Sequence, residues 1–168
     1  KPITVTVENK SNIFGEADPQ LTYSVSENGL VGSDTLSNIN LSRTDGENVG
    51  TYAINLNQSD GSNPNYDITF VPGTFTIGTK SITPEVALSQ DTFTYNRGQQ
   101  KPTVYVRYNG TDMSTSDYEV LYSTDGNNFI TTIDSKNKGT YYIKVEAKDS
   151  GNYTFDSITK TYTINPKP

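Results

Sequence analysis

Apolar and polar side chains alternate along this chain with a period of two, and helical spacing is nowhere sustained. Ile3, Val5 and Val7 share one face of a first strand while Thr4 and Thr6 share the other, and Leu21, Tyr23 and Val25 repeat the pattern. Tyr52, Ile54 and Leu56 then alternate with Ala53 and Asn55, Tyr66, Ile68 and Phe70 with Asp67 and Thr69, and Phe75 with Ile77 follows. Residues 30–41 read as short strands or irregular chain. The later part offers Ile82, Pro84 and Val86; Phe93 and Tyr95; Val104, Val106 and Tyr108; Tyr141, Ile143, Val145 and Ala147; and Tyr162 with Ile164. Tyr118-Glu119-Val120-Leu121-Tyr122-Ser123 and Asn128-Phe129-Ile130-Thr131 flank an Asp125-Gly126 step that takes positive φ readily, which predicts a hairpin. Each strand has one wet face, the pattern of a sheet packed on one side only.

The pattern occurs twice. Lys1-Pro2-Ile3-Thr4-Val5 is answered by Lys80-Ser81-Ile82-Thr83-Pro84, and Pro166-Lys167-Pro168 reads as the start of a third copy. Val49-Gly50-Thr51-Tyr52-Ala53-Ile54 is answered by Lys138-Gly139-Thr140-Tyr141-Tyr142-Ile143, Asn65-Tyr66 by Asn152-Tyr153, and Gly73-Thr74-Phe75-Thr76-Ile77 by Lys160-Thr161-Tyr162-Thr163-Ile164. Such repeats are long enough for a small domain and too long for a solenoid unit. About seven short strands per repeat, punctuated by Gly, Asn, Asp and Pro, predict two tandem immunoglobulin-like antiparallel β-sandwich domains, residues 1–79 and 80–168. The very short connection at residues 76–82 predicts an extended arrangement, roughly 70–90 Å long at ~3.3 Å per strand residue.

Composition narrows the chemistry. The 168 residues include 12 Tyr and 6 Phe but no Trp, Cys or His, so disulfides, thiolate sites and the commonest general base are absent. A formal net charge of −6 with 13 Lys and Arg argues against nucleic-acid binding. No apolar run approaches the ~20 residues of a spanning helix, so membrane insertion by these residues is not expected. No metal or other cofactor is expected, and neither is an enzyme.

The words quoted above, entered through Ile13-Phe14-Gly15-Glu16 and Pro19-Gln20-Leu21-Thr22-Tyr23, resemble the MBG repeats of large bacterial surface proteins. The resemblance covers nearly all of residues 1–79. In residues 80–168 it holds mainly from Gly139 onward, because Tyr95-Asn96 stands in place of the aromatic-glycine pair and the middle is rebuilt around Asp125-Gly126. It implies a tandem immunoglobulin-like array without catalytic residues in a secreted or wall-attached, adhesin-like protein. The chain is expected to be extracellular and monomeric, with neighbouring repeats of the same polypeptide as its partners.

Outward aromatics are the best clue to a ligand, because sugar rings stack on exposed aromatic planes. Alternation puts Tyr105 and Tyr142 on the solvent side with Arg107 near Tyr105, a candidate surface for a host or dietary glycan or a surface protein, or for an accessory role beside a glycan-active enzyme. If their strands are neighbours, the two tyrosines form one patch; such pairs also stabilise sheets without any ligand. Gly50-Thr51-Tyr52 and Gly139-Thr140-Tyr141 read as structural corners in which an inward Tyr hydroxyl bonds nearby backbone. The oxygen-rich stretches at residues 60–65 and 112–117 lack the spacing of a calcium loop and read as polar turns. A lysine-asparagine crosslink needs an inward-facing lysine, and no lysine is marked as such by the pattern.

Overall fold

The computed structural model describes residues 1–58 and 62–168 and divides into two compact units, Lys1–Thr79 and Lys80–Pro168. The first unit is a two-layer sandwich. One sheet has the order β3-β1-β6, built from β1 (Pro2–Val7), β3 (Tyr23–Val25) and β6 (Asp67–Val71); the other has the order β2-β7-β5-β4, built from β2 (Lys10–Ile13), β4 (Ile39–Arg43), β5 (Gly50–Gln58) and β7 (Gly73–Gly78). Alternation does the packing. Ile3, Val5 and Val7 are buried from one sheet and Ile54, Phe75 and Ile77 from the other, with Leu21, Leu41, Tyr52 and Leu56 closing around Val7, Ile54, Phe75 and Ile77.

The second unit repeats this plan with its first strand in two pieces. β8 (Lys80–Ser81) pairs with β15 (Tyr153–Thr154), and β9 (Glu85–Leu88) pairs with β11 (Val104–Tyr108), which also carries β12 (Thr111–Asp112). The break falls at Thr83-Pro84, where proline has no N–H to give a ladder. The facing sheet has the order β10-β16-β14-β13, from β10 (Thr92–Thr94), β13 (Tyr118–Ser123), β14 (Gly139–Ala147) and β16 (Ile158–Asn165). Its core centres on Tyr141, Ile143, Tyr162 and Ile164, with Leu88 and Val104 packed against them from the other layer; the Tyr141 and Tyr162 rings stack at 5.2 Å.

The expectation of all-antiparallel sheets is corrected. β1 runs parallel to β6 and β2 parallel to β7; in the second unit β8 runs parallel to β15 and β10 parallel to β16. The chain's first strand crosses from one layer to the other at residues 8–9, and again at residues 89–91, so it lies beside later strands that run the same way. Side-chain alternation reports which face is buried and is blind to strand direction, which is why the pattern missed it. The hairpin at Asp125-Gly126 forms its turn, but its return arm meets β13 at one bridge, Tyr122 with Ile130, rather than as a strand. The strand through Tyr66 begins at Asp67, and Phe70 faces solvent at 38% exposure.

Identical words make identical bonds. The Lys1 nitrogen donates to Asn65 O (2.7 Å) and Lys80 N to Asn152 O (3.0 Å). Tyr52 Oη donates to Asn48 O (2.6 Å) and Tyr141 Oη to Asn137 O (2.8 Å), each ring reaching back four residues to seal the turn before its strand. In the first unit Gly46, at φ 149°, lies under the Tyr52 ring, and Gly46 O accepts from Arg43 Nη1 (2.7 Å). Arg43 is held between the Tyr52 and Phe75 rings, 5.3 and 5.0 Å from their centroids, and its Nε meets Asp18 Oδ2 at 2.5 Å. One side chain thus fastens two turns.

Tyr52→Phe and Tyr141→Phe should each cost about 1 kcal/mol, the net worth of the lost hydrogen bond. Gly46→Ala should cost about 2–3 kcal/mol, because the new Cβ would stand 2.2 Å from a Tyr52 ring carbon. Urea unfolding of the whole chain, followed by tyrosine fluorescence, measures all three.

Candidate functional site

The outward face of β11 holds the clearest cluster of exposed functional side chains. Tyr105 is 41% exposed, and its cross-strand neighbour on β9 is Ala87, too small to cover the ring. Two residues on, Arg107 faces Glu85 on β9 and Asp112 on β12. Its Nε donates to Asp112 Oδ1 at 2.6 Å, and its guanidinium carbon lies 5.6 Å from the Tyr105 ring centroid. That hydrogen bond raises the Arg107 pKa above the usual arginine value. The result is an aromatic plane with a fixed cation and a carboxylate beside it, the chemistry that stacks on a sugar and bonds its hydroxyls.

Tyr142 is not part of it. It lies on β14, between Ser123 of β13 and Thr161 of β16, in the other sheet of the unit. Its half-buried ring covers the turn at Gly126, where an added Cβ would come within 3.2 Å of it. The structure therefore joins Tyr105 with Arg107 and separates both from Tyr142.

That turn is closed by its own polar groups, and strand periodicity gave no sign of its role. Ser123, fully buried, donates to Asp125 Oδ1 (2.8 Å) and accepts from Gly126 N (2.9 Å). The Asp125 carboxylate also accepts from Asn128 N and Asn127 N (both 2.8 Å) and from Asn128 Nδ2 (2.7 Å). These donors, the Asn128 and Asn127 amides foremost, hold the Asp125 carboxyl well below the usual carboxylate range. Its oxygens are spent on the turn, which makes Asp125 a structural residue.

The oxygen-rich stretches are similarly occupied. Asp112 is paired with Arg107, and buried Asp117 accepts from Asn152 N (2.8 Å) while its backbone holds Ser114 O and Lys148 N. Asp60 and Gly61 lie outside the described residues; of that stretch, Asn63 bonds both backbone groups of Ser37. Among the described residues no three potential metal-ligating side chains gather, and no lysine is buried. A cleft of about 840 Å³ at one end of the second unit is lined by Tyr95, Asn96, Arg97, Asn137, Lys138 and Lys167. No carboxylate lines it, so paired-carboxylate hydrolysis has no footing there.

Residues 3–76 match the family model of the MBG domain (YGX type), which places the first unit in that family. The match includes the Phe14-Gly15 pair, whose glycine sits at φ 82°; in the second unit the corresponding positive φ has moved to Arg97, at 71°. No curated protein matches the chain.

Because the Asp125 pKa is depressed on folding, its contribution is fully present above the ordinary aspartate pKa of about 4 and is lost as pH falls through the lower folded value. The Asp125 side-chain carbon should therefore keep its ionised chemical shift at pH 3, where free aspartate is mostly protonated. The stability gap between the protein and Asp125→Asn should be flat above about pH 5 and narrow only in stronger acid.

Proposed function

We propose that this chain, with its MBG-type first unit and a second unit of the same strand plan, is a non-catalytic spacer that carries tension in a bacterial surface or secreted protein. The observation that carries this reading is the parallel pairing of early and late strands within each unit. β2 pairs with β7 through Lys10–Phe75, Ser11–Thr76, Asn12–Ile77 and Ile13–Gly78, and β10 pairs with β16 through Thr92–Thr163, Phe93–Ile164 and Thr94–Asn165. Pulling a unit by its first and last strands draws two parallel partners in opposite directions along their common axis, so their hydrogen bonds are loaded together in shear. An antiparallel terminal pair would peel one bond at a time.

One further fact agrees: MBG domains occur in extracellular bacterial proteins. A second reading, a glycan platform, rests on Tyr105 with Arg107 alone.

Force spectroscopy tests the spacer. The chain stretched between its ends should give two separate unfolding steps, each releasing roughly 3.3–3.6 Å per residue. Phe14 N donates to Gly78 O (2.9 Å), so by the two-residue period the Asn12 amide also faces β7 while that of Ser11 faces away. Asn12→Pro should lower the first unit's unfolding force far more than Ser11→Pro; equal effects, or unfolding at forces too low to resolve, would reject the shear reading. The glycan reading predicts array binding that Tyr105→Ala abolishes and Tyr142→Ala leaves intact, and an array without hits removes it.

A further inference from the structure

The two units treat the same pair of sheet edges differently. In the second unit β11 and β13 are the edges on one side of the sandwich, and the chain covers both. Thr111 and Asp112 pair with β11, and Met113 N donates to Val106 O (2.9 Å). Residues 124–138, the connection from β13 to β14, return along β13: Tyr122 N donates to Ile130 O (2.7 Å), Ile130 N to Tyr122 O (2.9 Å), and Ile133 packs against the core. The Ser135 hydroxyl ends the run on Gln100 O at 2.7 Å.

The equivalent edges of the first unit are β3 and β4. The match is residue for residue, since Arg43 faces Ile54 as Tyr122 faces Ile143, and Tyr23 faces Val7 as Val106 faces Val86. Here the connection from β4 to β5 is only residues 44–49, and among the described residues nothing corresponds to β12. Among them each of these strands ends its sheet, with a partner on one side only. Thr44 N bonds Ala53 O, so the alternate amides of Arg43 and Leu41 point away from β5; Glu8 N bonds Thr22 O and Ser26 N bonds Thr4 O, so Tyr23 and Val25 present their backbone outward. Between the two edges lies a groove of about 540 Å³ with walls formed by residues 20–23 and 39–41. Leu21, Tyr23, Ile39 and Leu41 give it apolar footing, Gln20, Thr22 and Asn40 give it uncharged polar groups, and among the described residues no ionised side chain lines it.

We propose that this groove is a strand-addition site, where an extended, uncharged peptide segment of a partner protein pairs with the outer edge of β4 and sets an aliphatic side chain between β3 and β4. The second unit shows the occupant's chemistry. What Ile130 does for Tyr122 the peptide does for Arg43, by exchanging both backbone bonds, and what Ile133 does for the core the peptide's aliphatic residue does for Leu21 and Leu41. Exposed edges are the usual place for such pairing, and proteins that do not use an edge commonly blunt it with charge, proline or a covering segment. Among the described residues β4 has no proline and no covering segment, and its one charge, Arg43, is turned off the edge onto the Tyr52 and Phe75 rings, while the second unit has the covering segment.

The probe is a synthetic peptide with the sequence of residues 127–133, its ends blocked so that it carries no charge, added to the whole chain, whose second unit already holds its own copy of that segment. We expect saturable binding, amide shift changes confined to residues 20–25 and 39–43, and hydrogen exchange at Leu41 and Arg43 slowed at least about tenfold at saturation. The same peptide N-methylated at the position of Ile130 should bind at least about tenfold more weakly, because one main-chain donor is gone. Three results would overturn the proposal: no binding of the unmodified peptide, equal binding of the N-methylated one, or a concentration-dependent dimer whose β4 amides are protected without peptide, which would make a second copy the occupant.

Discussion

Each unit depends on a first strand that divides its hydrogen bonding between two sheets. β1 lies between β3 and β6 in one layer, and the chain then crosses to put β2 against β7 in the other. A sandwich of this size buries few side chains; in the first unit the interior is little more than Ile3, Val5 and Val7 against Ile54, Phe75 and Ile77. With no cysteine to staple the layers, the crossing strand is one of the covalent ties between them, alongside later connections that also pass from sheet to sheet. The second unit keeps the tie although Pro84 interrupts its ladder, because β8 and β9 divide the strand's work and β10 still reaches β16.

Around that frame the polar residues mostly close turns. Tyr52 and Tyr141 each bond a carbonyl four residues back, Asp125 gathers the amides of its own loop, and Asp117 joins the turn before β13 to the one before β15. The carboxylates of Asp112, Asp117 and Asp125 are thereby occupied. The Tyr105 ring, with Arg107 near it, and the outer main chain of β3 and β4 face outward. The proposed tension path and the proposed recognition edge use different strands, so neither role excludes the other.

Much of the fold was legible because burial has a period. Val5, Ile54, Phe75, Ile143, Val145 and Ile164, at 0–1% exposure, are all residues that alternation turned inward. The Gly-Thr-Tyr words were legible as corners because a glycine followed by an inward tyrosine leaves the hydroxyl few partners except nearby backbone. Strand direction was not legible, since Lys10-Ser11-Asn12-Ile13 has one apolar residue in four and pairs through its backbone. Nor was the separation of Tyr105 from Tyr142, because facing outward is a local property while sharing a sheet is set by residues far apart in sequence. Arg43 was missed for a related reason: a cation on a strand reads as a wet-face residue until two rings from β5 and β7 close on it.

The partnership of β2 with β7 also sets when a unit can close. A chain delivered from its amino end, through a ribosome or any channel narrower than a sandwich, releases β1 and β2 long before the segments they must meet. No unit can therefore complete itself until Gly73–Gly78, or Ile158–Asn165, has cleared the opening. Closure then happens late and cooperatively, and a finished module too wide to slip back would rectify the passage of the residues behind it.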